Sequence, residues 1–529
     1  MIIRLLEVSI KLENVYNTEF HKQKVAKLLK TKIDNIKNVK IQKRSVDARK
    51  KDNVHYKFNF DVELFSSVNL SKIDAKHMVV EKRPKEKQVS INTNKNVCVV
   101  GSGPSGLFCA LKLALSGVKV TLLERGEKIE DRVKTVENFL NGGKFNEKSN
   151  IQFGEGGAGT FSDGKLNTGI KSEHIDFVLQ TFYDCGAEES ILYDSKPHIG
   201  TDVLRKVIVN LRNKLLELGV EIKFKTLFTG YEHENGLIKV CFEEEGRKKE
   251  QSFDRLVLAI GYSARDTLRM LDSKKMEIIQ KDFAVGYRIE HLKTDIDKSQ
   301  YGGFAGSKYL EAADYKLFEH LDNGRTVYTF CMCPGGRVVP AMSKDNEICT
   351  NGMSFQARNE QNSNSAILVN VRCEDYESNS PLAGVEYQEK LEKNAFIKGK
   401  GKFICSRVED FLKGQPTTKL GKVVPSIKPA YVLGDVSSLL DKKLVESLKE
   451  GIVKLGKKLK GFDQPDAILT GVETRSSAPY CIVRKQGLQT SEENIYAIGE
   501  GAGQAGGIMS SAVDGIKIAL EIIKNYSEK

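Results

Sequence analysis

The chain has 529 residues, 40% of them hydrophobic and 29% charged, with a mean hydropathy of -0.35. That balance matches globular domains and excludes a wholly disordered, collagenous or membrane-embedded chain. The net charge is +12, and residues 1–96 carry 22 Lys and Arg against 11 Asp and Glu, so nearly all of the excess lies in a basic N-terminal unit ahead of a neutral body. At roughly 150 residues per domain, two or three units are expected. No stretch reaches the roughly 18 apolar residues of a spanning helix, and Arg4 and Glu7 break the first apolar run in a way unlike a signal peptide. Ten Cys without a dense framework fit a reducing compartment. The expectation is a cytoplasmic protein with no membrane partner.

The N-terminal unit, 1–90, reads as a small α+β module: strand alternation over Ile2–Leu12, helical spacing over Thr18–Leu29, and strands over Val39–Gln42 and Tyr56–Leu64. Between the last two lies the basic segment Lys43 to Lys51. It could bind nucleic-acid phosphates, but no aromatic residues interleave with the charges as base stacking requires. A solvated loop or a docking face is favoured. Residues 80–96 read as a linker.

Asn96–Val100 is a short strand that runs into Gly101-Ser102-Gly103-Pro104-Ser105-Gly106 and then an apolar helix, Leu107–Ser116. The first glycine permits the tight turn, the second lets a diphosphate approach and the third lets helix and strand pack, with the helix N-terminus facing the anion. A second strand, Val118–Leu123, ends in Glu124, placed to accept from both hydroxyls of an adenosine ribose and to disfavour a 2′-phosphate by repulsion. With its full strand–turn–helix–strand context, this motif predicts a dinucleotide site.

Three further segments bear on which dinucleotide. Glu124-Arg125-Gly126 with Arg132, then Phe253 to Gly261 with Ala259 at the turn, then Asn494 to Gly503 with Gly499, Glu500 and Gly501, all resemble motifs of the glutathione-reductase-like flavoprotein superfamily. That resemblance implies FAD, with the acid near the C-terminus on the ribitol chain; the family usually has Asp there. Gly506, Gly507 and Ile508 open the last helix, whose first amides are expected to face the flavin. The Gly-dense stretch Phe153–Lys165, with Gly157, Ala158, Gly164 and Lys165, is similar to the flavin-lining segment of fumarate-reductase-like proteins. The helix Val203–Leu218 and strand Val220–Leu227 resemble the unit that meets the adenine, at Leu227. Order and combination together resemble the bacterial FAD-dependent proteins labelled NAD(FAD)-utilising dehydrogenases.

The expected fold is therefore α/β: a Rossmann-like FAD-binding domain (95–269, returning at 470–529) with an inserted α+β cap or substrate domain (270–469) and the N-terminal module. In the cap, Arg288 and His291 are candidates to bind an anion and relay a proton, against a structural ion pair. Arg475 and Lys165 are candidates for a substrate carboxylate or the cofactor, Arg475 again against a structural ion pair. Cys331 and Cys333 are not the C-x-x-C of disulfide reductases. No second dinucleotide motif occurs, so NAD(P)H would dock only transiently, and no metal set stands at ligand spacing. The expected function is an FAD-dependent oxidoreductase acting on a small organic substrate. An RNA-modifying flavoprotein and a flavin-binding sensor without turnover are the alternatives.

Overall fold

A computed structural model describes residues 2–68, 78–79, 91 and 93–527. Its N-terminal unit runs β1 (Ile2–Lys11), α1 (Thr18–Leu28), β2 (Ile36–Asp47), β3 (His55–Leu64) and β4 (Met78–Val79), in the sheet order β2-β3-β1-β4. Alternation along β3 buries Tyr56, Phe58, Phe60, Val62 and Leu64 and turns the polar residues between them outward. Asn17 caps α1 by accepting from the Phe20 amide at 2.9 Å. β2 is longer than its sequence suggests and takes in the first half of the basic segment, because Arg44 lies on the core side opposite Phe58. Its guanidinium donates to both Asp194 carboxylate oxygens at 2.6 and 2.8 Å, under the rings of Tyr16, Tyr56 and Tyr193. Arg44 thus docks the unit to the body, where its apolar face joins one core with Phe283, Val285 and Tyr287. Most of the stretch read as a linker lies outside the described residues.

The next unit runs β5 (Asn96–Val100), α2 (Pro104–Leu115), β6 (Lys119–Leu123), α3 (Ile129–Leu140), α4 (Ile175–Asp184), α5 (Thr201–Glu217) and β7 (Glu221–Lys223). An antiparallel meander follows, β8 (Thr226–Glu234), β9 (Leu237–Glu244) and β10 (Arg247–Phe253), then β11 (Arg255–Leu258) and α6 (Arg265–Ser273). The strand expected over 220–227 is two strands, because Lys225 turns the chain at φ 54°.

Beyond it come β12 (Ile278–Gln280), β13 (Phe283–Leu292), α7 (Lys293–Tyr301), β14 (Phe318–His320), β15 (Thr326–Cys333), β16 (Arg337–Pro340), β17 (Thr350–Met353) and β18 (Asn362–Val371). They are followed by α8 (Ala383–Gly399), β19 (Phe403–Arg407), α9 (Val408–Lys413), β20 (Tyr431–Leu433), α10 (Lys442–Lys458) and β21 (Ile468–Glu473). Seven of these strands form one mixed sheet in the order β14-β15-β18-β13-β21-β19-β20. The boundary expected at 470 falls inside β21, so the chain leaves this sheet only after Glu473. It returns through β22 (Tyr480–Ile482), paired with β12, to β23 (Ile495–Ala497) and α11 (Ile508–Ser527).

β23, β11, β5, β6 and β7 make a parallel five-stranded sheet. Its strands are hydrophobic on both faces because both are covered. α2, α5 and α11 pack on one face, and the meander with α6 on the other. Gly515 of α11 would place a Cβ 2.1 Å from the Ser105 carbonyl, so the two helices touch backbone to backbone at the start of α2. This α/β architecture brings the carboxyl ends of β5, β6, β11 and β23, far apart in sequence, to one edge.

Candidate functional site

Four turns meet at that edge. Gly101 ends β5 with φ 105°, and a Cβ there would stand 2.2 Å from the Ala259 carbonyl at the end of β11. Gly106 would meet the Gly101 carbonyl at 1.9 Å, which is the helix–strand closeness the motif predicts. Gly501 would meet the Gly261 amide at 2.6 Å, locking the C-terminal turn to the one after β11. Only hydrogen fits at these junctions. Gly103 capping α2, with Pro104 in the first helical position, leaves the Ser105 and Gly106 amides ahead of the first intrahelical bond, made by Leu107. The Gly-dense stretch completes the wall: the Gly156 amide donates to the Ser102 carbonyl at 2.9 Å, and Gly157 lies against Gly103.

Arg132 lies behind this wall, fully buried. It donates to the carbonyls of Asn150, Ile151, Glu155 and Gly157 at 2.6 to 2.9 Å and to no carboxylate. Burial pulls its pKa down to about 9, against the more distant Glu124 and Glu155. A desolvated cation at the back of a phosphate-type loop fits an anion on the front. Glu500 is the complementary group. Among the described residues its carboxyl has no hydrogen bond, and burial pushes it up to about 8 against the pull of Lys281, whose Nζ donates to the Gly503 carbonyl. Such an acceptor fits a partner with several hydroxyl donors. Gly261, Gly506 and Gly507 face open space where Cβ atoms would be, leaving room for a flat ring between the two turns and the start of α11.

Residues 282–476 match a family described as FAD-dependent protein, C-terminal domain-like. Residues 99–154 match an NAD(P)-binding Rossmann-like domain, and residues 2–63 a domain of unknown function. A protein of Clostridium beijerinckii, described as uncharacterized, is 41% identical over 99% of both chains. The chain belongs to this family of FAD-dependent proteins. Among solved structures, CtdE in complex with FAD is 11% identical, with a TM-score of 0.33, over 81% of this chain and 85% of that one. A geranylgeranyl bacteriochlorophyll reductase-like protein of Thermoplasma acidophilum is 12% identical, with a TM-score of 0.36, over 82% and 79%. Likenesses this faint carry nothing further. FAD is the cofactor, and the chemistry that cofactor carries is redox.

Several expected site residues do other work. Glu124, 5% exposed, accepts from the Ser102 amide and hydroxyl at 2.9 and 2.7 Å and from the Gly126 and Gly154 amides at 2.8 and 3.1 Å. Those four bonds use the acceptor positions of a carboxylate, so Glu124 ties three loops together instead of standing free for a ribose. Arg125 lies over the Phe153 ring and pairs with Asp266 through two bonds of about 3 Å, fastening α6 to the end of β6. Leu227 follows Thr226, whose amide donates to the Glu124 carbonyl, so the start of β8 abuts this edge.

The catalytic candidates need sharper correction. Arg475 is 4% exposed and bonds Glu392 through Nε and Nη2, Glu347 through Nη2, and the Ser263 and Ser343 hydroxyls through Nη1. Arg265 shares both carboxylates, so Arg475 belongs to a buried structural network and no substrate carboxylate reaches it. Arg288, fully buried, is held by Glu473, Asn364 and the Cys331 carbonyl. His291 is fully buried, with Nε2 2.7 Å from the Phe462 carbonyl, and burial drives its pKa down to about 4. It cannot relay protons near pH 7 from there.

Lys165 differs from these three. It lies one residue past Gly164, with its Nζ 3.3 Å from Asp163 and without a hydrogen bond. Burial pushes Asp163 up, but Lys165 and Arg358 outweigh it and hold the acid below its ordinary range.

Cys331 lies at a break in its strand. A bulge between Phe330 and Cys333 breaks the alternation of β15 and sets Cys331 at φ 42°. Its side chain is exposed, whereas that of Cys333, two residues on, is buried. No spacing rule signals a bulge. Among the described residues no group of three or more His, Cys, Asp or Glu is placed to hold a metal, and no helix is long and apolar enough to cross a membrane.

Proposed function

We propose that the protein is an FAD-dependent oxidoreductase that passes a hydride or electron pair between the cofactor and a small organic substrate held beneath the 282–476 domain. It would stand with the NAD(FAD)-utilising dehydrogenases and the wider glutathione-reductase-like superfamily that its motifs resemble. The observation that carries the reading is the interlock of four strand ends, with a buried cation on one side and, on the other, a half-buried acid without a hydrogen bond among the described residues. When bound, FAD supplies a reversible two-electron store. The chain's own residues then have distinct tasks. The Ser105 and Gly106 amides, backed by Arg132, hold the diphosphate. Glu500 accepts from the ribitol hydroxyls, and the α11 N-terminus lies alongside the ring and favours added negative charge there. Lys165, tethered by Asp163, and Cys331 border the reacting side, where Lys165 can orient an anionic group.

A single dinucleotide motif leaves NAD(P)H, where it is the donor, to enter the same space transiently. Arg44 is spent on Asp194, Arg49 pairs with Asp47, and Lys51 bonds Gln300, which reduces the free charge of the basic segment for an RNA backbone. The test is anaerobic rapid mixing of the yellow protein with NADH and with NADPH, followed by candidate acceptors. Bleaching and reoxidation support the reading. A flavin that no donor reduces, or that once reduced no acceptor reoxidises, would favour a sensor.

A further inference from the structure

The segment 193–199, between α4 and α5, has no helix or strand of its own, so its course is set by the two partners it lies between. At one end it pairs with β2. The Arg44 amide donates to the Tyr193 carbonyl at 2.8 Å, the Ser195 amide donates back to the Arg44 carbonyl at 2.9 Å, and the Arg44 guanidinium holds both Asp194 carboxylate oxygens. At the other end it pairs with the Gly164 turn. The Leu166 amide donates to the Pro197 carbonyl at 2.8 Å, the Ile199 amide donates to the Gly164 carbonyl at 3.0 Å, and Lys165 stands opposite His198. A Cβ on Gly164 would lie 1.9 Å from the Ile199 carbonyl, so turn and segment meet backbone to backbone.

One module is thereby linked to another. The N-terminal unit grips 193–195, and the residues that follow hold the turn that carries Lys165. Arg44 suits that grip. The side chains of the pair are 9% and 16% exposed, and a bidentate guanidinium–carboxylate pair fixes direction as well as distance. The turn has a second fastening, since Arg358 of the 282–476 domain holds Asp163 through bonds of 3.1 and 2.6 Å. Loss of Arg44 should therefore loosen the turn without releasing it.

We propose that Arg44 is a positioning residue of the flavin site: by fixing 193–195 it sets 197–199, and through them the Gly164–Leu166 turn and Lys165. The N-terminal unit, which matches a domain of unknown function, is then a working part of the redox site. The assignment rests on the reading that sets Lys165 beside the flavin, and the test separates the two.

The test compares holoproteins carrying Arg44→Met, Arg44→Lys and Lys165→Met with the parent. Native-state hydrogen exchange in Arg44→Met should show the Leu166 and Ile199 amides exchanging about tenfold faster or more, while the Leu107 and Ala259 amides, bonded within the parallel-sheet unit, keep parental rates. Arg44→Lys, which keeps the charge, should restore part of the protection. A reductive titration then reads the flavin. Lys165→Met should make it harder to reduce, because a cation beside the ring favours added electrons. Arg44→Met should shift the reduced-to-oxidised ratio the same way by about threefold, and the double variant no further than Lys165→Met alone. Should Arg44→Met fold poorly, Asp194→Asn loosens the same grip from the other side and should give smaller shifts of the same sign. Parental exchange at Leu166 and Ile199, or faster exchange there with the flavin's potential unmoved, overturns the proposal. A Lys165→Met protein with the parental potential overturns the placement of Lys165, and the role of Arg44 with it.

Discussion

Replacing Glu500 with Gln separates the two states of the site, because the expected effects on apoprotein and holoprotein have opposite signs. Without cofactor, burial lifts this acid from the usual 4.5 to about 8. An acid whose folded pKa is raised costs nothing below pH 4.5, where both states are protonated. The cost grows as pH climbs from 4.5 to 8 and is complete above 8. Over that interval it reaches about 5 kcal/mol at most. The Gln variant lacks it, so its apoprotein should melt several degrees above the parent at pH 9 and match it near pH 4. Bound FAD reverses the preference, since ribitol hydroxyls donate to the ionised carboxylate. A bond to a charged acceptor is worth about 1.5 to 3 kcal/mol, so the variant should bind FAD about 10- to 100-fold more weakly at pH 8. Fluorescence titration of apoprotein with FAD should show the parent's affinity rising by up to about tenfold per pH unit from pH 6 to 8 and then levelling, while the variant stays flat. Equal slopes in the two proteins, or a variant with full affinity at pH 8, would remove Glu500 from the cofactor site.

Gly101→Ala forces a Cβ to 2.2 Å from the Ala259 carbonyl, and the protein should be purified with little or no flavin. Gly142→Ala, at φ 91° but in open space, carries only backbone strain of about 1–2 kcal/mol and should keep its full FAD content. Arg475→Met leaves Glu347 and Glu392 to Arg265 alone, two buried acids against one cation, and should destabilise by about 3–5 kcal/mol in denaturant melts, while the rate of flavin reduction in the folded fraction stays within about threefold. A large loss of rate at unchanged stability would return Arg475 to the chemistry. His291→Gln should leave the pH profile of flavin reduction unchanged from pH 5 to 8, since that imidazole is already neutral there; a limb near pH 6.5 that vanishes in the variant would contradict its placement.

What was legible in the sequence follows one physical rule. Backbone demands leave local marks: the Gly101 turn, the Gly499 turn and the strand ending at Ala259 could be placed because only small residues allow those approaches. Side-chain partnerships across long separations leave none. Arg475 and Glu392 are 83 positions apart, and Arg44 and Asp194 are 150 apart, so nothing near either arginine shows that its charge is already taken. Glu124 was correctly set at the strand end, yet its four donors come from loops at 102, 126 and 154, which converge only in three dimensions. The parting of Cys331 from Cys333 was hidden for a third reason: an unbroken strand puts residues two apart on one face, and the bulge after Phe330 exposes one and buries the other.

The most direct measurement is the flavin content of the purified chain, by absorbance and by identification of what denaturation releases. About one FAD per chain, freed as intact FAD when the protein is unfolded, is the predicted result. A colourless protein that takes up no added FAD would contradict the assignment of its four converging turns.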